Sequence, residues 1–105
     1  LIASVESGSD PVPQTPTVLS VYPNPFNAAA ALEYTLHRQQ RVRIKVYNSS
    51  GQYVNTLIDE QQPAGRYKLH WDGKDFDFNG VASGLYMMEF QAGERRSCSK
   101  VVLIK

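Results

Sequence analysis

The hydrophobic and polar residues of this chain alternate in short segments that are separated by Gly, Pro, Asn and Asp. The third segment is the clearest, since Val42, Ile44 and Val46 alternate with basic residues. Successive side chains of a β-strand point to opposite faces, so this pattern predicts strands with one buried and one solvated face. The predicted strands are 18–22, 32–36, 42–47, 53–59, 67–71, 84–91 and 97–104. This series is typical of an all-β sandwich or barrel.

The length and composition fit one folded domain preceded by a linker. The chain has 105 residues, 42% of them hydrophobic, which is enough for a single buried core. Residues 1–17 are rich in Pro and Ser and contain neither Lys nor Arg. Segments of this kind rarely bury enough apolar surface to fold. We predict a flexible linker at 1–17, following an upstream domain, and one folded domain at 18–105.

Charge and cysteine content narrow the classes of partner. The 11 Lys and Arg residues nearly balance the 10 Asp and Glu residues, and the net charge is +1. This balance does not indicate binding to nucleic acid or to an anionic membrane. No apolar run approaches the length of a membrane span, so we expect no membrane insertion. Cys98 is the only cysteine, so no intrachain disulfide can form and packing must hold the fold.

The aromatic residues have two interpretations. Trp71 alternates with Leu69, which favours a position in the core. The alternative is that Trp71, Phe76, Phe78 or Tyr86 forms an exposed platform for a sugar. Phe76 and Phe78 lie in a loop, where they either fold back onto the sheet or form a small contact patch.

The polar face of the third predicted strand carries Arg41, Arg43 and Lys45. Such a row can bind phosphate. On an edge strand it more often keeps the protein soluble and prevents edge-to-edge pairing. We therefore interpret 42–47 as an edge strand with a basic solvent face.

An acidic segment at 72–80 resembles part of a calcium-binding loop. Asp75, Asp77, Asn79 and Gly80 match its first half, but Tyr86 occupies the twelfth position, where a bidentate Glu is needed. Asp-Gly and Asn-Gly pairs are also typical of tight turns. We favour a turn and expect no metal or other cofactor.

No catalytic group emerges from the sequence. His37 and His70 have no acidic neighbour at a spacing suited to a zinc site or a general base. The serines lack a Gly-flanked nucleophile motif, and Cys98 lies in a polar segment. We predict that the domain is not an enzyme.

Two prolines stiffen the segment YPNPFN at 22–27, which we call the proline knuckle. Each proline disfavours a helical conformation of the residue before it, here Tyr22 and Asn24. A rigid segment can aim Phe26. Tyr22 and Phe26 either cap an open end of the sandwich or form a recognition surface.

Six blocks in order, YPNPFN, LEYTL, RVRIKVYNSSGQYVNTLIDE, QPAGRYKLHWDGKD, VASGLYMMEFQAG and KVVLIK, resemble the type A carboxy-terminal sorting domain of the type IX (Por) secretion system. The resemblance covers 20–105. It implies an Ig-like, seven-stranded antiparallel β-sandwich that acts as a secretion signal in Bacteroidota and their relatives. The implied partners are an upstream cargo domain, the outer-membrane secretion machinery and a sortase-like peptidase. The implied location is the periplasm in transit, then the cell surface or medium.

The resemblance also implies a set of recognition residues: Tyr22, Pro23, Asn24, Pro25, Phe26, Asn27, Gly65, Trp71, Asp72, Gly73, Ser83, Gly84, Tyr86, Val101, Val102, Leu103, Ile104 and Lys105. Two positions depart from the family pattern. Ala28 follows the proline knuckle where the family commonly has Pro, and Phe78 stands where the family usually has Gly.

The apolar run before Lys105 suits a strand buried on both sides or an edge strand held between neighbours. A receptor could bind such a strand by β-strand addition. Two other functions stay open. One is a carbohydrate-binding or adhesion module, and the other is a structural Ig-like domain like that of the flagellar hook-capping protein. A weak homodimer through an exposed strand also stays open.

Overall fold

The computed structural model describes residues 19–105, which form a two-sheet sandwich of seven strands. The strands are β1 (Ser20–Tyr22), β2 (Ala30–Leu36), β3 (Gln40–Asn48), β4 (Tyr53–Gln62), β5 (Gly65–Trp71), β6 (Gly84–Ala92) and β7 (Arg95–Leu103). All seven predicted strands are confirmed within the described residues, which exclude Val18 of the first one, and the largest difference is that β4 continues to Gln62. The predicted linker at 1–17 lies outside the described residues. Among residues 19–105, no helix is long and apolar enough to cross a membrane.

The strands form two antiparallel sheets. The first has the order β1-β2-β5 and the second the order β4-β3-β6-β7. The chain changes sheet after β2, β4 and β5. The inner faces of both sheets supply one apolar core, as the alternating pattern predicted.

Trp71 lies at the centre of this core with 1% of its surface exposed, so its predicted position is confirmed. Its ring contacts that of Tyr86, on the opposite sheet, edge to face at a centroid distance of 5.3 Å. Tyr86 is itself 6% exposed. Neither ring can stack on a sugar, so the platform hypothesis is wrong for Trp71 and Tyr86.

The interpretation of 42–47 as an edge strand is wrong. β3 lies between β4 and β6, and its register with both is antiparallel. The basic face is real but partly neutralised, because Nε of Arg41 and Nε of Arg43 lie 2.9 and 3.4 Å from the carboxylate of Asp59 on β4. The hydrogen bond from Arg41 holds the pKa of Asp59 below its ordinary value. Two of the three basic residues of this face, Arg41 and Arg43, therefore take part in cross-strand ion pairs.

The β3–β4 hairpin follows the turn chemistry of its sequence. Oδ1 of Asn48 accepts hydrogen bonds from the backbone N–H groups of Ser50 and Gln52, both at 2.9 Å. Gly51 has a φ of +83°, which glycine adopts at no steric cost. The hairpin thus holds the end of β3 next to the start of β4.

One buried polar pair lies in the core. The hydroxyl of Tyr34 on β2 donates to Oε1 of Gln62 at the end of β4, at 2.6 Å. The Tyr34 ring also packs against Phe90 on β6, with ring centroids 5.1 Å apart. Burial raises the pKa of Tyr34 to about 12. The neutral phenol is therefore part of the contact between the sheets.

Tyr34 is expected to make the fold sensitive to alkali. Its pKa is raised from 10.0 to about 12, so the stability that it contributes is fully present below pH 10.0 and is lost as the pH rises toward 12. The loss should reach about 2 kcal/mol. Urea unfolding between pH 9 and 12 measures it. Tyr34→Phe should be less stable at neutral pH, because it leaves Gln62 without its donor, but should show a shallower alkaline decline. An equally steep decline in this variant would contradict the assignment.

Candidate interaction site at the closing strand

The proline knuckle crosses from the first sheet to the second and pairs with the outer edge of β7. The N–H of Phe26 donates to the carbonyl of Val102 at 2.8 Å, and the N–H of Ile104 donates to the carbonyl of Phe26 at 2.8 Å. Phe26 and Leu103 form a parallel bridge. The predicted knuckle and the predicted closing strand are therefore parts of one structure.

Asn24 extends this pairing with its side chain. Its Nδ2 donates to the carbonyl of Lys100 at 3.1 Å, and its Oδ1 accepts from the N–H of Val102 at 3.0 Å. The side-chain amide of Asn24 thus takes the place of a peptide group in a β ladder. The Tyr22–Pro23 and Asn24–Pro25 peptide bonds are both cis. We call the pairing of Asn24 and Phe26 with residues 100–104 the clasp.

Phe26 closes the gap between the two sheets. Its ring is 2% exposed and lies 5.5 Å from the ring of Trp71. The capping interpretation is therefore confirmed for Phe26. It is wrong for Tyr22, which is 42% exposed and whose hydroxyl bonds to the carboxylate of Glu33 on the outside of the first sheet. Lys68 lies 5.8 Å from the Tyr22 ring centroid.

Two loop motifs support the other side of the closing strand. Gly73 has a φ of +74°, and a Cβ at that position would lie 3.3 Å from a methyl group of Leu103. The hydroxyl of Ser83 accepts a hydrogen bond from the N–H of Lys105 at 3.0 Å. Gly84 pairs with Leu103 in the β6–β7 ladder. These loops therefore hold the carboxyl end of β7 in place.

The structure brings together most of the predicted recognition residues, but not all. Phe26, Trp71, Gly73, Ser83, Gly84, Tyr86 and residues 101–105 surround the end of β7. Gly65 pairs with Leu36 at the far end of the β2–β5 ladder from Trp71, so it is not part of the site. The side chain of Asp72 points to solvent, where its carboxylate lies 3.9 Å from Lys74.

The clasp restricts the strand-addition hypothesis. The clasp already occupies the outward backbone groups of residues 100–104, so a receptor strand could pair there only after displacing the knuckle. The interpretation of the closing strand as an edge strand held between neighbours is confirmed, with β6 on one side and the knuckle on the other. Val101 and Leu103 are buried, whereas Ile104 is 52% exposed.

The acidic segment at 72–80 is a turn that the carboxylate of Asp75 stabilises. Oδ1 of Asp75 accepts from the N–H groups of Asp77 and Asn79, at 2.9 and 3.0 Å. Asp75 thus has a side-chain role that is typical of tight turns, although the sequence pointed to the Asp72-Gly73 and Asn79-Gly80 pairs. In the part of the chain that the structure describes, no three His, Cys, Asp or Glu residues are grouped to hold a metal ion.

Comparison with known proteins identifies the family. The model of the FlgD Ig-like domain matches residues 26–95. The chain belongs to this family. No curated protein matches this chain. Asn24 and most of β7 lie outside the matched residues, so the clasp joins the matched body to its flanking segments.

Solved structures agree with this fold. FlgD of P. aeruginosa is 29% identical over 70% of this chain, with a TM-score of 0.54. FlgD of Xanthomonas campestris, described as a hook-capping protein essential for flagellar assembly, is 20% identical over 84% of this chain, with a TM-score of 0.56. This chain spans 57% and 62% of those two proteins.

Two structures from Porphyromonas gingivalis share the same fold. Latent dimeric PorU is 16% identical over 88% of this chain, with a TM-score of 0.63. PorZ, a surface component of the type IX secretion system, is 19% identical over 83%, with a TM-score of 0.57. This chain spans only 10% of PorU and 11% of PorZ.

Removing the Asn24 amide is expected to open the clasp locally. Asn24→Ala leaves the N–H of Val102 and the carbonyl of Lys100 without these bonds, at a cost of about 1–2 kcal/mol. Amide hydrogen exchange should become faster at Val102, while exchange at core residues of β3 should change only with global stability. Asn27→Ala is the matched control, because the exposed Asn27 side chain makes no hydrogen bond within residues 19–105. Unchanged exchange at Val102 in Asn24→Ala would show that the Asn24 bonds of the clasp are not formed in solution.

Proposed function

We propose that this Ig-like domain is a non-enzymatic sorting module that the outer-membrane machinery of the type IX secretion system recognises. The clasp is the observation that carries this proposal. It fixes the proline knuckle and the closing strand, the first and last blocks of the sorting-domain resemblance, against each other through backbone and side-chain hydrogen bonds. A receptor would therefore meet one rigid composite surface.

The residues of the clasp and those next to them form a supporting set and an accessible set. Phe26, Val101 and Leu103 are buried and hold the geometry. The accessible set consists of the exposed residues Pro23, Pro25, Asn27, Ile104 and Lys105. Asn24 is exposed as well, but its side-chain amide is engaged in the clasp. A rigid, exposed set containing two prolines and one aliphatic side chain loses little conformational entropy on binding. We infer that the secretion machinery contacts this accessible set.

The remaining parts of the proposal follow from the same role. An upstream cargo domain would be carried through the periplasm to the cell surface or medium, and a sortase-like peptidase would then separate it from the module. The type IX secretion role of PorZ supports this assignment, because PorZ contains a segment of the same fold.

A structural role in a cap-like assembly is the second candidate. The family match and the likeness to two FlgD proteins favour it. Both roles use the same sandwich, and they differ in the partner that binds it. A sorting module must direct a foreign cargo, whereas a structural module acts only within its own assembly. The adhesion alternative now rests on Phe76 and Phe78, since Trp71 and Tyr86 are buried.

A reporter fused to the amino end of residues 1–105 tests the sorting role. In a bacterium that has a type IX secretion system, the reporter should appear outside the cell, and a strain without the system should retain it in the periplasm. Removal of residues 101–105 should also cause retention. Retention of the intact fusion would reject sorting and favour the structural candidate.

A point substitution separates recognition from folding in this assay. Deleting buried Val101 and Leu103 damages the core, but Ile104→Asp changes an exposed side chain. This variant should fold and yet reduce secretion by at least about tenfold, the effect of losing one important contact. His37→Asp is the control, since it adds the same charge at the other end of β2, away from the clasp. Equal secretion of both variants would remove Ile104 from the contact surface.

A further inference from the structure

Three exposed aromatic residues, two of them in one loop, take no part in the clasp. Tyr53 at the start of β4 is 44% exposed, and Phe76 and Phe78 in the loop after β5 are 57% and 82% exposed. The rings of Tyr53 and Phe76 stack with their centroids 5.7 Å apart and their planes 21° apart. We call these three residues the aromatic tip. Neither the core nor the clasp uses it.

The loop that carries the aromatic tip is well braced. The N–H of Phe76 donates to the carbonyl of Val54 on β4 at 2.9 Å. The carbonyl of Lys74 accepts from both the indole of Trp71, at 2.9 Å, and the side-chain amide of Asn55, at 3.1 Å. With the Asp75 turn, these bonds fix the backbone on both sides of Phe76. The tip is therefore presented in one arrangement before any partner arrives.

Phe78 has a conformation that the fold does not explain. Its φ is 66°, a left-handed value that is unfavourable for a residue with a bulky side chain. Its ring is 82% exposed, so burial does not compensate. Glycine would suit this backbone better and would expose no apolar surface. Strained backbone and exposed aromatic surface together indicate that the Phe78 side chain acts in contact with another molecule.

The charge around the aromatic tip indicates the partner. Residues 72–80 contain three acids, Asp72, Asp75 and Asp77, and one base, Lys74, which lies 3.9 Å from the carboxylate of Asp72. The ammonium group of Lys105 also approaches the segment at Gly80, so one net negative charge remains there. Aromatic faces also attract cations. We propose that the aromatic tip is a docking site for an extended protein segment that places Arg or Lys beside an apolar or aromatic side chain.

This inference goes beyond sorting, since none of the three aromatic residues belongs to the clasp. A glycan can also stack on aromatic rings, but a neutral sugar would not use the acidic charge. An acidic partner would be repelled. The two remaining classes of ligand therefore serve as outcomes of the test.

The experiment is an NMR titration of ¹⁵N-labelled residues 1–105 at low ionic strength. The probe is a synthetic peptide with two arginines flanking a tryptophan in a Gly/Ser background. Its controls are the same peptide with glutamates in place of the arginines, and the oligosaccharides cellohexaose and chitohexaose. The arginine peptide should cause saturable shifts of the amides of Tyr53, Phe76 and Phe78, and the controls should not.

The variant Phe78→Gly separates contact from structure. It keeps every charge and suits the left-handed backbone, so its melting temperature should not fall, but its affinity for the arginine peptide should fall at least about tenfold. His37→Ser removes an exposed ring just after β2, at the end of the β2–β5 ladder away from Trp71, and should bind normally. Unchanged affinity of Phe78→Gly, equal binding of the glutamate peptide, shifts with the oligosaccharides alone, or no saturable shifts at all would each overturn the proposal.

Discussion

The packing of Trp71 between Phe26 and Tyr86 is the contact on which the rest of the structure depends. Trp71 belongs to the first sheet, Tyr86 to the second, and Phe26 to the segment that crosses between them. Cys98 has no second cysteine to pair with, so the sheets have no covalent link within the chain. Aromatic burial of this size contributes several kcal/mol, which in a domain of this length is a large part of the net stability.

Burying Phe26 also decides how the chain protects one edge of its sandwich. To reach Trp71, the knuckle must run along β7, and there Phe26 and Asn24 satisfy the outward backbone groups of residues 100–104. Alternate residues of an edge strand direct their backbone N–H and C=O groups to the same side, so Arg96 and Cys98 direct theirs to this edge as well. The strand order of residues 19–105 leaves that stretch uncovered. Arg96 is exposed on this stretch, and a charged side chain on an edge strand discourages edge-to-edge pairing.

The sequence predicts local features of this fold better than distant ones. Alternation within 42–47 is enough to place a strand and to orient Val42, Ile44 and Val46, because those properties depend on neighbouring residues. Whether that strand is an edge depends on β4 and β6, and the local pattern does not contain this information. The same holds for Asn24, whose partners lie 76 and 78 residues away. An Asn between two prolines signals a side chain that bonds to backbone, but not to which strand. The left-handed φ of Phe78 also had no local signal beyond an aromatic residue in place of the family glycine.

One sandwich can serve different functions because the matched family body and the segments that flank it contribute different surfaces. The FlgD Ig-like match begins at Phe26 and ends at Arg95, which is the first residue of β7. The shared part contains Trp71 and Tyr86 and therefore most of the core, which any user of the fold must keep. The segments outside it, with Asn24 and residues 100–104, add a surface and also complete the core with the buried side chains of Val101 and Leu103. Phe26 belongs to both parts, since its ring completes the core while its backbone pairs with β7. A change in recognition that preserves Phe26, Val101 and Leu103 is therefore compatible with the same stable body, which is why a common fold alone does not determine what the domain binds.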